Sequence, residues 1–567
     1  MNIFLQGLFC SFLILPSFLF SQEQLLTENY FDKNIGAEIR LSSAKKINKI
    51  LKQDGIYLDH GSTTDQVKLY ITKKGFQYLK KKNILFSWDK PVPPEIKMID
   101  LKTYIAQKTN KADCLAPMSS YPSYETYEQI LLDYTIEYPQ LCKLLNIGTL
   151  QSGRSLLVLQ ISDSLEVGEK EPNFLYTASM HGDELAGYPM MLMLIDHLLC
   201  NYGTDPDITD LVNNVNIFIN PLANPNGTYR GGNESVVESI RFNASFVDLN
   251  QNYPDPKLGD NPDSNPYQEE TLFFMEFAKD QNIHLSCNIH SGTEVINYPW
   301  DTFEHLHADD EWWRYVSRAY ADSVHVHAPE GYFDFRENGI TNGFAWYELN
   351  GGRQDYMTFF NRSREFTLEI SDVKKLNSDQ LPDIWKWNKS ALINYIEESR
   401  YGLTGTITDC ITGLPIVAEV SIPSHDIDNS SVFSHENDGI YFRFLKEGTY
   451  DLVYSAPDYD PAFFTVDIED KKQIIQNIEL CPSPVSTIHI SDLSSIEIKQ
   501  INNNLHIYTP QTHKELYIQL STVDGKNLMH QKVINSTVEL PKNLRTGIYL
   551  VSIINDLDIK TVKLFLK

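Results

Sequence analysis

The sequence predicts an α/β fold: a mostly parallel or mixed eight-stranded sheet with helices on both faces. A small α+β domain precedes this fold, and two small all-β sandwich domains follow it. The prediction rests on two observations. Helical patterns alternate with buried apolar strands between about residues 121 and 400, and the helical patterns stop after Arg400. This alternation favours a parallel sheet, because the crossover helices then cover both of its faces.

Length and charge limit the possible functions. The 567 residues are 42% hydrophobic and 12% aromatic, which is too much chain for one core and suits several globular domains. The formal net charge of -27 argues against nucleic acid as a partner and against docking on anionic membranes. We expect an acidic surface suited to an extracellular setting.

The N-terminal part of the chain predicts two elements. Residues 1–21 are apolar and turn polar at Ser21, which predicts a secretory signal peptide that is cleaved on export. No later stretch reaches the roughly 18 apolar residues that a membrane span needs. Residues 22–115 predict a small α+β domain similar to a prosegment. There, 67–71 alternates like a strand, Thr72 is placed to cap a helix, and 75–82 has helical spacing.

The segment 116–400 carries the α/β pattern. Apolar stretches predict buried strands at 156–161, 215–219, 283–289 and 366–370. Helical spacing predicts helices over 124–144, 184–199 and 382–398. Ligands bind such sheets at the carboxyl ends of the strands, so polar residues that follow these strands are the first candidates for a functional site.

Two β-rich segments, 401–484 and 485–567, are predicted to form the sandwich domains, because short alternating strands replace helices there. Cys410 and Cys481 bracket the first sandwich, and secretion would permit a disulfide between them. Cys200 and Cys287 are expected to be buried free thiols. The polar stretch from His305 to Asp310 is typical of a solvated loop.

A metal site is indicated where two of the predicted strands end. His181 follows a buried strand, and Glu184 stands three residues later. A Glu at this distance from a His is expected by chance in a chain of average composition, so the pair alone is weak evidence for a metal site. His290 ends a second buried strand, where a histidine satisfied by the backbone is the ordinary alternative. Together, two histidines and one glutamate leave a fourth position open, which is typical of a catalytic zinc ion.

Glu369 is a carboxylate inside an otherwise apolar strand. A buried carboxylate is costly unless it has a partner or a function. An inward ion pair is the structural alternative. Beside a zinc ion, the carboxylate would be a general base that takes the proton of water and passes it to a leaving amine.

These residues belong to a longer series of motifs that resembles the zinc metallocarboxypeptidases. The order of the motifs is most similar to the regulatory N/E-type branch, over about residues 120–400. The sandwich that follows resembles the transthyretin-like domain of that branch. The motifs that carry the resemblance are His181-x-x-Glu184, Arg241 to Asp255, His290-Ser-Gly with Asn297 to Asp301, Gly339 to Tyr347, Gly351 to Tyr356, and Phe366 to Glu369.

The resemblance implies a role for each matching residue. It implies one zinc ion per chain, bound by His181, Glu184 and His290, with Glu369 as the general base. Arg241 would polarise the scissile carbonyl and stabilise the oxyanion. Four further roles are implied: Asp248 would orient His181, Tyr356 would close over the substrate from a mobile loop, Asn250 would hold the terminal carboxylate, and Asp301 would select C-terminal Lys or Arg.

The chain departs from the family at Gln251, because the family pattern has Arg after the asparagine that Asn250 matches. Arg offers a bidentate charged fork for a carboxylate, whereas Gln offers a neutral amide. Arg353 or Arg362 could restore the charge. Arg362 and Arg364 could instead disfavour a basic side chain if they faced the pocket, and Asp301 has an ordinary alternative as a turn cap.

The last eighty or so residues resemble the C-terminal sorting domain of the type IX secretion system. The similar features are the stretch from Leu544 to Gly547 and a terminal strand with Lys560, Lys563 and Lys567. Together with a signal peptide, this implies export across the outer membrane of a Gram-negative cell, with the secretion machinery as partner.

The sequence thus predicts a secreted, monomeric zinc carboxypeptidase that acts on peptide or protein C-termini, with a preference for Lys or Arg. Two hypotheses remain beside it. One is a hydrolase of the same fold that acts on modified C-termini or cell-wall peptides, which Gln251 motivates. The other is a peptide-binding protein without catalysis.

Overall fold

The computed structural model divides the chain into two compact units, Met1–Cys481 and Pro482–Lys567. No helix in the described part of the chain is both long and apolar enough to cross a membrane. The signal peptide predicted for residues 1–21 lies outside the described residues. The structure describes residues 26–32, 36–41, 47, 50, 53, 55–58, 67–88, 94–107, 117–165, 170–483, 497–501, 504–508, 517–523, 525–533, 537–554 and 559–566.

The N-terminal part forms a three-stranded antiparallel sheet in the order β1-β3-β2. Helix α1 follows β3 directly and buries Phe76 and Leu79 against it. Thr72 occupies the position before α1 but caps nothing with its side chain, because its hydroxyl donates to the Gly55 carbonyl. These elements are β1 (Gly36–Leu41), β2 (Ile56–Leu58), β3 (Val67–Thr72) and α1 (Lys73–Lys81).

This N-terminal sheet packs beside the segment that carries Arg241. Tyr57 and Tyr70 contact Phe242, with ring centroids 4.6 and 5.3 Å apart. Glu38 pairs with the Lys374 amino group at 3.1 Å. The contact surface is therefore aromatic at its centre and charged at its edge.

The α/β domain has an eight-stranded mixed sheet, as the sequence predicted, and its strand order is β12-β11-β13-β10-β8-β9-β7-β6. Its central strands β13, β10, β8 and β9 are parallel. Strand β11 is antiparallel to β13 and parallel to β12, and β7 is antiparallel to both β9 and β6. The short pair β4 (Met98–Ile99) and β5 (Tyr121–Pro122) precedes it. The strands are β6 (Cys142–Thr149), β7 (Ser155–Ile161), β8 (Asn173–Ala178), β9 (Asn216–Asn220), β10 (Leu285–His290), β11 (Thr293–Tyr298), β12 (Ile340–Asn342) and β13 (Arg364–Ser371).

Helices cover both faces of the sheet. Along β8, Phe174 and Tyr176 pack into one apolar cluster, while Leu175 between them packs into a second cluster on the other face. The helices are α2 (Leu101–Gln107), α3 (Tyr124–Glu137), α4 (Gly187–Asn201), α5 (Pro206–Val212), α6 (Pro225–Thr228), α7 (Glu269–Asp280), α8 (Asp310–His327), α9 (Phe335–Asn338), α10 (Gly343–Trp346), α11 (Arg353–Phe359) and α12 (Leu381–Glu397).

The helix predicted over 124–144 is wrong over its last seven residues. Helix α3 ends at Glu137, and β6 begins at Cys142. Pro139 explains the end of the helix, because proline disfavours a helical conformation in the residue before it. The helix predicted over 382–398 is confirmed within a residue at each end.

The first sandwich packs two sheets, one of β17-β14-β20 with β21 beside β14, the other of β16-β15-β18-β19. The Cys410–Cys481 disulfide is present, whereas Cys200 is disulfide-bonded and not the free thiol predicted. Cys287 is free and buried, as predicted. The strands are β14 (Gly402–Asp409), β15 (Glu419–Ser421), β16 (Val432–Phe433), β17 (Ile440–Arg443), β18 (Gly448–Ser455), β19 (Ala462–Ile468), β20 (Gln473–Ile475) and β21 (Ile478–Leu480).

A buried charge network joins this sandwich to the α/β domain. The Asp309 carboxylate accepts from Arg364 at 2.7 Å and from Arg443 at 2.7 and 3.1 Å, and Arg443 also reaches Asp426 at 2.6 Å. Burial alone would raise the pKa of Asp309, but Arg443 and Arg364 hold it well below its usual range. The prediction of a solvated loop around Asp309 is therefore wrong. His305 at the same loop does remain exposed.

The second unit is a small all-β fold with its own apolar core, which includes Leu505, Leu520 and Val551. Its sheets have the orders β22-β23-β26 and β25-β24-β27-β28. The strands are β22 (Glu497–Ile501), β23 (Asn504–Tyr508), β24 (Tyr517–Thr522), β25 (Asn527–Lys532), β26 (Thr537–Glu539), β27 (Gly547–Ile554) and β28 (Ile559–Leu566).

Candidate metal centre

The carboxyl ends of β8 and β10 bring three polar side chains together. After β8 the chain turns at Ser179, whose φ of 57° is left-handed, and the His181 carbonyl accepts from the Glu184 amide at 3.1 Å. Gly182 lets this turn approach α6, because a Cβ there would lie 2.4 Å from the Gly227 backbone. His290 is the last residue of β10. The three predicted ligands therefore come from adjacent strand ends.

The three side chains converge on one point. His181 Nδ1 lies 2.9 Å from Glu184 Oε1 and 3.0 Å from His290 Nδ1, and His290 Nδ1 lies 2.7 Å from Glu184 Oε2. Ligands about 2.0–2.1 Å from a tetrahedral zinc ion stand about 3.3 Å apart, only slightly farther than these atoms. All three side chains are buried, and they form a group that could hold a metal ion. The residues therefore fit a zinc ion in both chemistry and spacing.

The protonation of His290 suits a ligand. Burial lowers the pKa of His290 to about 4, although Glu184 opposes this shift. The imidazole is therefore neutral near pH 7 and can offer a lone pair. The Asn288 side chain contacts its other ring nitrogen at 2.8 Å and fixes the orientation of the ring.

Asp248 and Arg241 form a second layer around these ligands. Asp248 Oδ1 lies 3.0 Å from His181 Nε2, and Asp248 Oδ2 accepts from Arg241 Nε at 2.9 Å. Arg241 Nη1 reaches Glu184 Oε1 at 3.3 Å. Burial would raise the pKa of Asp248, but Arg241 and His181 hold it well below its usual range. Asp248 is therefore an ionised acceptor that orients an imidazole and a guanidinium together.

Glu369 is brought next to His290 by strand pairing. The two residues are Cα partners in the parallel pair of β10 and β13. Paired residues of neighbouring strands project from the same face of a sheet, so the two side chains leave β10 and β13 together. Glu369 is fully buried.

Asn250 and Gln251 lie in a short 3-10 turn, Leu249–Gln251, directly after Asp248. Asn250 Oδ1 accepts from the Arg353 amide at 3.0 Å, and Gln251 Nε2 donates to Asp248 Oδ2 at 3.5 Å. Gln251 therefore contacts the residue that orients His181, and Asn250 contacts the backbone of Arg353.

The arginines that the sequence offered near Gln251 contact other groups. Arg353 is buried, donates to Thr177 at 2.7 Å and pairs with Glu365 at 3.2 Å. Arg362 donates to Ser431 of the sandwich at 2.7 Å. Arg364 binds Asp309, so the idea that Arg362 and Arg364 line the pocket and repel a basic side chain is wrong. Arg362 lies two residues before β13, and Arg364 is the first residue of that strand. Both side chains contact the sandwich.

Asp301 belongs to a buried group of carboxylates with Asp255 and Asp355, which the sequence did not predict. The Asp301 and Thr302 amides donate to Asp355 at 2.8–3.1 Å, and the Gly351 amide donates to Asp255 at 2.9 Å. A Cβ at Gly352 would lie 3.5 Å from Asp301 Oδ2 and 3.8 Å from Asn250 Oδ1. The Asp301 carboxylate therefore borders the space beside Asn250.

Burial, with a contribution from Asp255, raises the pKa of Asp301 to about 7. Burial and the neighbouring Asp301 raise the pKa of Asp355 well above its usual range. No Lys or Arg side chain pairs with Asp301 among the residues that the structure describes. The region is therefore rich in carboxylates and lacks a balancing cation of its own.

Tyr356 does not lie on a mobile loop, so this prediction is wrong. It sits inside α11, is only 8% exposed, and packs its ring on Tyr253 and Phe360. Tyr347, nine residues earlier, is half-buried in the loop between α10 and Gly351. Gly351 and Gly352 indicate a loop in this part of the sequence. The sequence does not show which of the two tyrosines, Tyr347 or Tyr356, lies in that loop.

Comparison with known proteins gives consistent results. Residues 127–391 match the zinc carboxypeptidase family. Carboxypeptidase M from Mus musculus is 32% identical over 62% of this chain and 82% of its own length. Carboxypeptidase D from Anas platyrhynchos is 34% identical over 63% of this chain and 26% of its own length, so this chain spans only about a quarter of that relative.

Among solved structures, carboxypeptidase A from Helicoverpa armigera is similar to this chain with a TM-score of 0.50. The two are 17% identical, and the match covers 65% of this chain and 97% of the other. This likeness concerns the fold, and it agrees with the mixed eight-stranded sheet.

Proposed function

Because this chain belongs to the zinc carboxypeptidase family, we propose that it hydrolyses the C-terminal peptide bond of peptides and proteins. One observation carries the proposal. His181, Glu184 and His290 converge within hydrogen-bond distance of one another, and Arg241 contacts both Glu184 and the Asp248 that orients His181.

His181, Glu184 and His290 would hold the zinc ion. When bound, zinc supplies Lewis-acid chemistry, which polarises a carbonyl group and makes water more acidic. Glu369 accepts a proton from the attacking water at a carboxylate oxygen and returns it to the leaving amine as the C–N bond breaks. Arg241 donates from its guanidinium to the carbonyl oxygen as negative charge develops there. One water is consumed, and a shortened peptide and a free amino acid are released.

We place the chain in the regulatory N/E-type branch and propose a preference for C-terminal Lys or Arg. Relatives named carboxypeptidase D, M and N support this placement. The Asp301 carboxylate beside Asn250 supports the preference, because a basic side chain would supply the cation that this group of aspartates lacks. We assign the closing tyrosine to Tyr347, since Tyr356 is part of the core.

The remaining domains are proposed to serve delivery. Residues 1–21 are the signal peptide, 22–115 a prosegment-like domain, 116–400 the catalytic domain and 401–484 a transthyretin-like sandwich. Residues 485–567 act as a sorting domain for type IX export to the surface or medium of a Gram-negative cell. The separate compact unit from Pro482 supports a sorting domain that acts independently of the monomeric enzyme.

Incubation of the zinc-loaded protein with peptides ending in Lys, Arg, Phe or Glu tests the activity, with products followed by mass spectrometry. We expect single residues to be lost from the C-terminus. Glu369→Gln should lower kcat by about 10²–10⁴-fold, because the general base is lost, while the bound zinc content stays the same.

Glu348→Gln is the matched control, since Glu348 is 43% exposed and pairs only with Lys257 in the described structure. Binding of peptides without turnover would identify a binding protein instead of a peptidase. Full activity of Glu369→Gln would remove Glu369 from the mechanism.

A further inference from the structure

We propose that Asn250 and Gln251 form a subsite for an uncharged C-terminal carboxamide, so that peptides with amidated ends are substrates. This inference rests on the proposed peptidase activity and concerns the group at the end of the substrate. It follows from the direction of two hydrogen bonds.

The partner of Asn250 determines which way its amide faces. The Arg353 backbone N–H can only donate, so the atom of Asn250 that it meets at 3.0 Å must be the oxygen. The Nδ2 group of Asn250 is then left to donate to a ligand. In the described part of the chain it makes no hydrogen bond of its own.

The partner of Gln251 determines the direction of the second amide. Asp248 Oδ2 accepts from Arg241 Nε at 2.9 Å, and because a guanidinium can only donate, this oxygen also faces Gln251 as an acceptor. The Gln251 atom that lies 3.5 Å from Asp248 Oδ2 is therefore Nε2. This arrangement leaves Oε1 of Gln251 to accept from a ligand.

One donor and one acceptor are complementary to a carboxamide, whose oxygen accepts and whose NH₂ group donates. A carboxylate presents two acceptors, so one of its oxygens would meet Gln251 Oε1 without a hydrogen atom between them. Rotation of the Gln251 amide would repair that contact only by turning its oxygen toward Asp248 Oδ2, an oxygen that already accepts from Arg241. The pair therefore favours the carboxamide.

Neither Arg353, Arg362 nor Arg241 is free to replace the missing charge without giving up its present contacts. Arg353 is committed to Glu365 and Thr177, and Arg362 to Ser431. Arg241 already contacts Asp248 and Glu184. A free carboxylate would therefore enter a region that contains Asp248 and Asp301 without a bidentate partner of its own.

The reaction is the same hydrolysis with a different leaving group. Water adds to the carbonyl carbon, the C–N bond of the last peptide link breaks, and the proton passes to the amine of the released amino-acid amide. The carboxamide itself stays intact. The products are a shortened peptide with a free carboxylate and an amino-acid amide.

The test compares two peptides that differ only at the end, one with C-terminal arginine and one with C-terminal argininamide, on the zinc-loaded full chain. We expect kcat/KM for the amide to equal or exceed that for the acid. Gln251→Arg should shift the ratio toward the acid by about 10–100-fold, because a charge-assisted bidentate contact replaces the acceptor. Gln281→Arg adds the same charge at the opposite end of the strands, at the end of α7, and should leave the ratio unchanged.

A wild-type preference for the acid above about 100-fold, or a ratio that Gln251→Arg does not change, would overturn the inference. Calorimetric binding of arginine and argininamide to the Glu369→Gln protein gives a readout independent of turnover, and argininamide should bind at least as tightly. If neither peptide is cleaved, the peptidase proposal fails, while this binding comparison still decides the subsite.

Discussion

On the proposed function, the buried Asp301 carboxylate would link substrate specificity to pH. Its pKa of about 7 arises from burial, with Asp255 adding to it, and its backbone amide donates to the Asp355 carboxylate at 3.1 Å. A raised pKa means that the group is charged above about pH 7 and neutral below it. A neutral carboxyl group cannot form an ion pair with a basic substrate side chain.

We therefore expect the preference for Lys over Gln at the C-terminus to fall as the pH decreases from about 8 to about 6. The measurement is the ratio of kcat/KM for two peptides that differ only in that residue, because changes at the metal centre affect both peptides alike. Asp301→Asn should give a low ratio with no pH dependence. A constant ratio in the wild-type protein would mean that Asp301 does not contact the substrate side chain.

At the level of single residues, the sequence predicted the side chains that lie at strand ends and missed those that depend on distant segments. His181 and His290 stand at the ends of apolar strands that the sequence pattern predicts, and their side chains lie close together in the structure. Asp355 approaches Asp301 from a helix more than fifty residues away, which no local pattern encodes. Tyr356 was misplaced because local spacing does not show that it lies inside α11, whereas Tyr347 lies in the preceding loop.

At the level of elements, parallel pairing of β8, β10 and β13 places the site. Each strand brings one residue or motif to the same edge of the sheet, and the register pairs His290 with Glu369. The alternation of apolar residues made these strands predictable. The end of α3 could also have been predicted from Pro139, whereas the order of the eight strands could not, because pairing depends on contacts across the whole domain.

Gly343, the first residue of helix α10, lies directly against the Asp301 carboxylate. A Cβ at Gly343 would lie 1.9 Å from Asp301 Oδ1 and 2.7 Å from Asn297 Oδ1. Gly343→Ala should therefore displace Asp301 and lower the preference for Lys over Gln, although Ala favours a helix by about 1 kcal/mol over Gly.

The same pair of peptides measures the effect, and thermal denaturation shows whether the fold survives. Ala345→Gly, in an exposed position of the same helix, is the control for a change in helix propensity. An unchanged preference in Gly343→Ala would show that Asp301 can move without loss of function.

At the level of the whole molecule, the charge network around Asp309 couples the α/β domain to the first sandwich. Arg443 is fully buried and binds Asp309 and Asp426 together. Removal of one partner from a buried ion pair leaves an uncompensated charge and typically costs about 3–5 kcal/mol. The depressed pKa of Asp309 means that this stabilisation is present at neutral pH and is lost only when the pH falls well below about 4.

Arg443→Met should therefore reduce the free energy of unfolding by about 3–5 kcal/mol near pH 7, measured by urea denaturation. Arg400→Met is the control, because Arg400 is 23% exposed and its pairs with Asp210 and Glu397 should be worth about 1 kcal/mol or less. Equal losses in the two variants would show that burial of the Asp309 network adds no stability.

The Asp309 network also bears on how this protein can be taken apart or recombined. Asp309 and Arg364 belong to the α/β domain, whereas Arg443 and Asp426 belong to the sandwich, so the charge balance is shared between two segments of the chain. A sandwich exchanged for that of a relative would have to bring an arginine to the same place. The two domains must therefore be engineered as one piece.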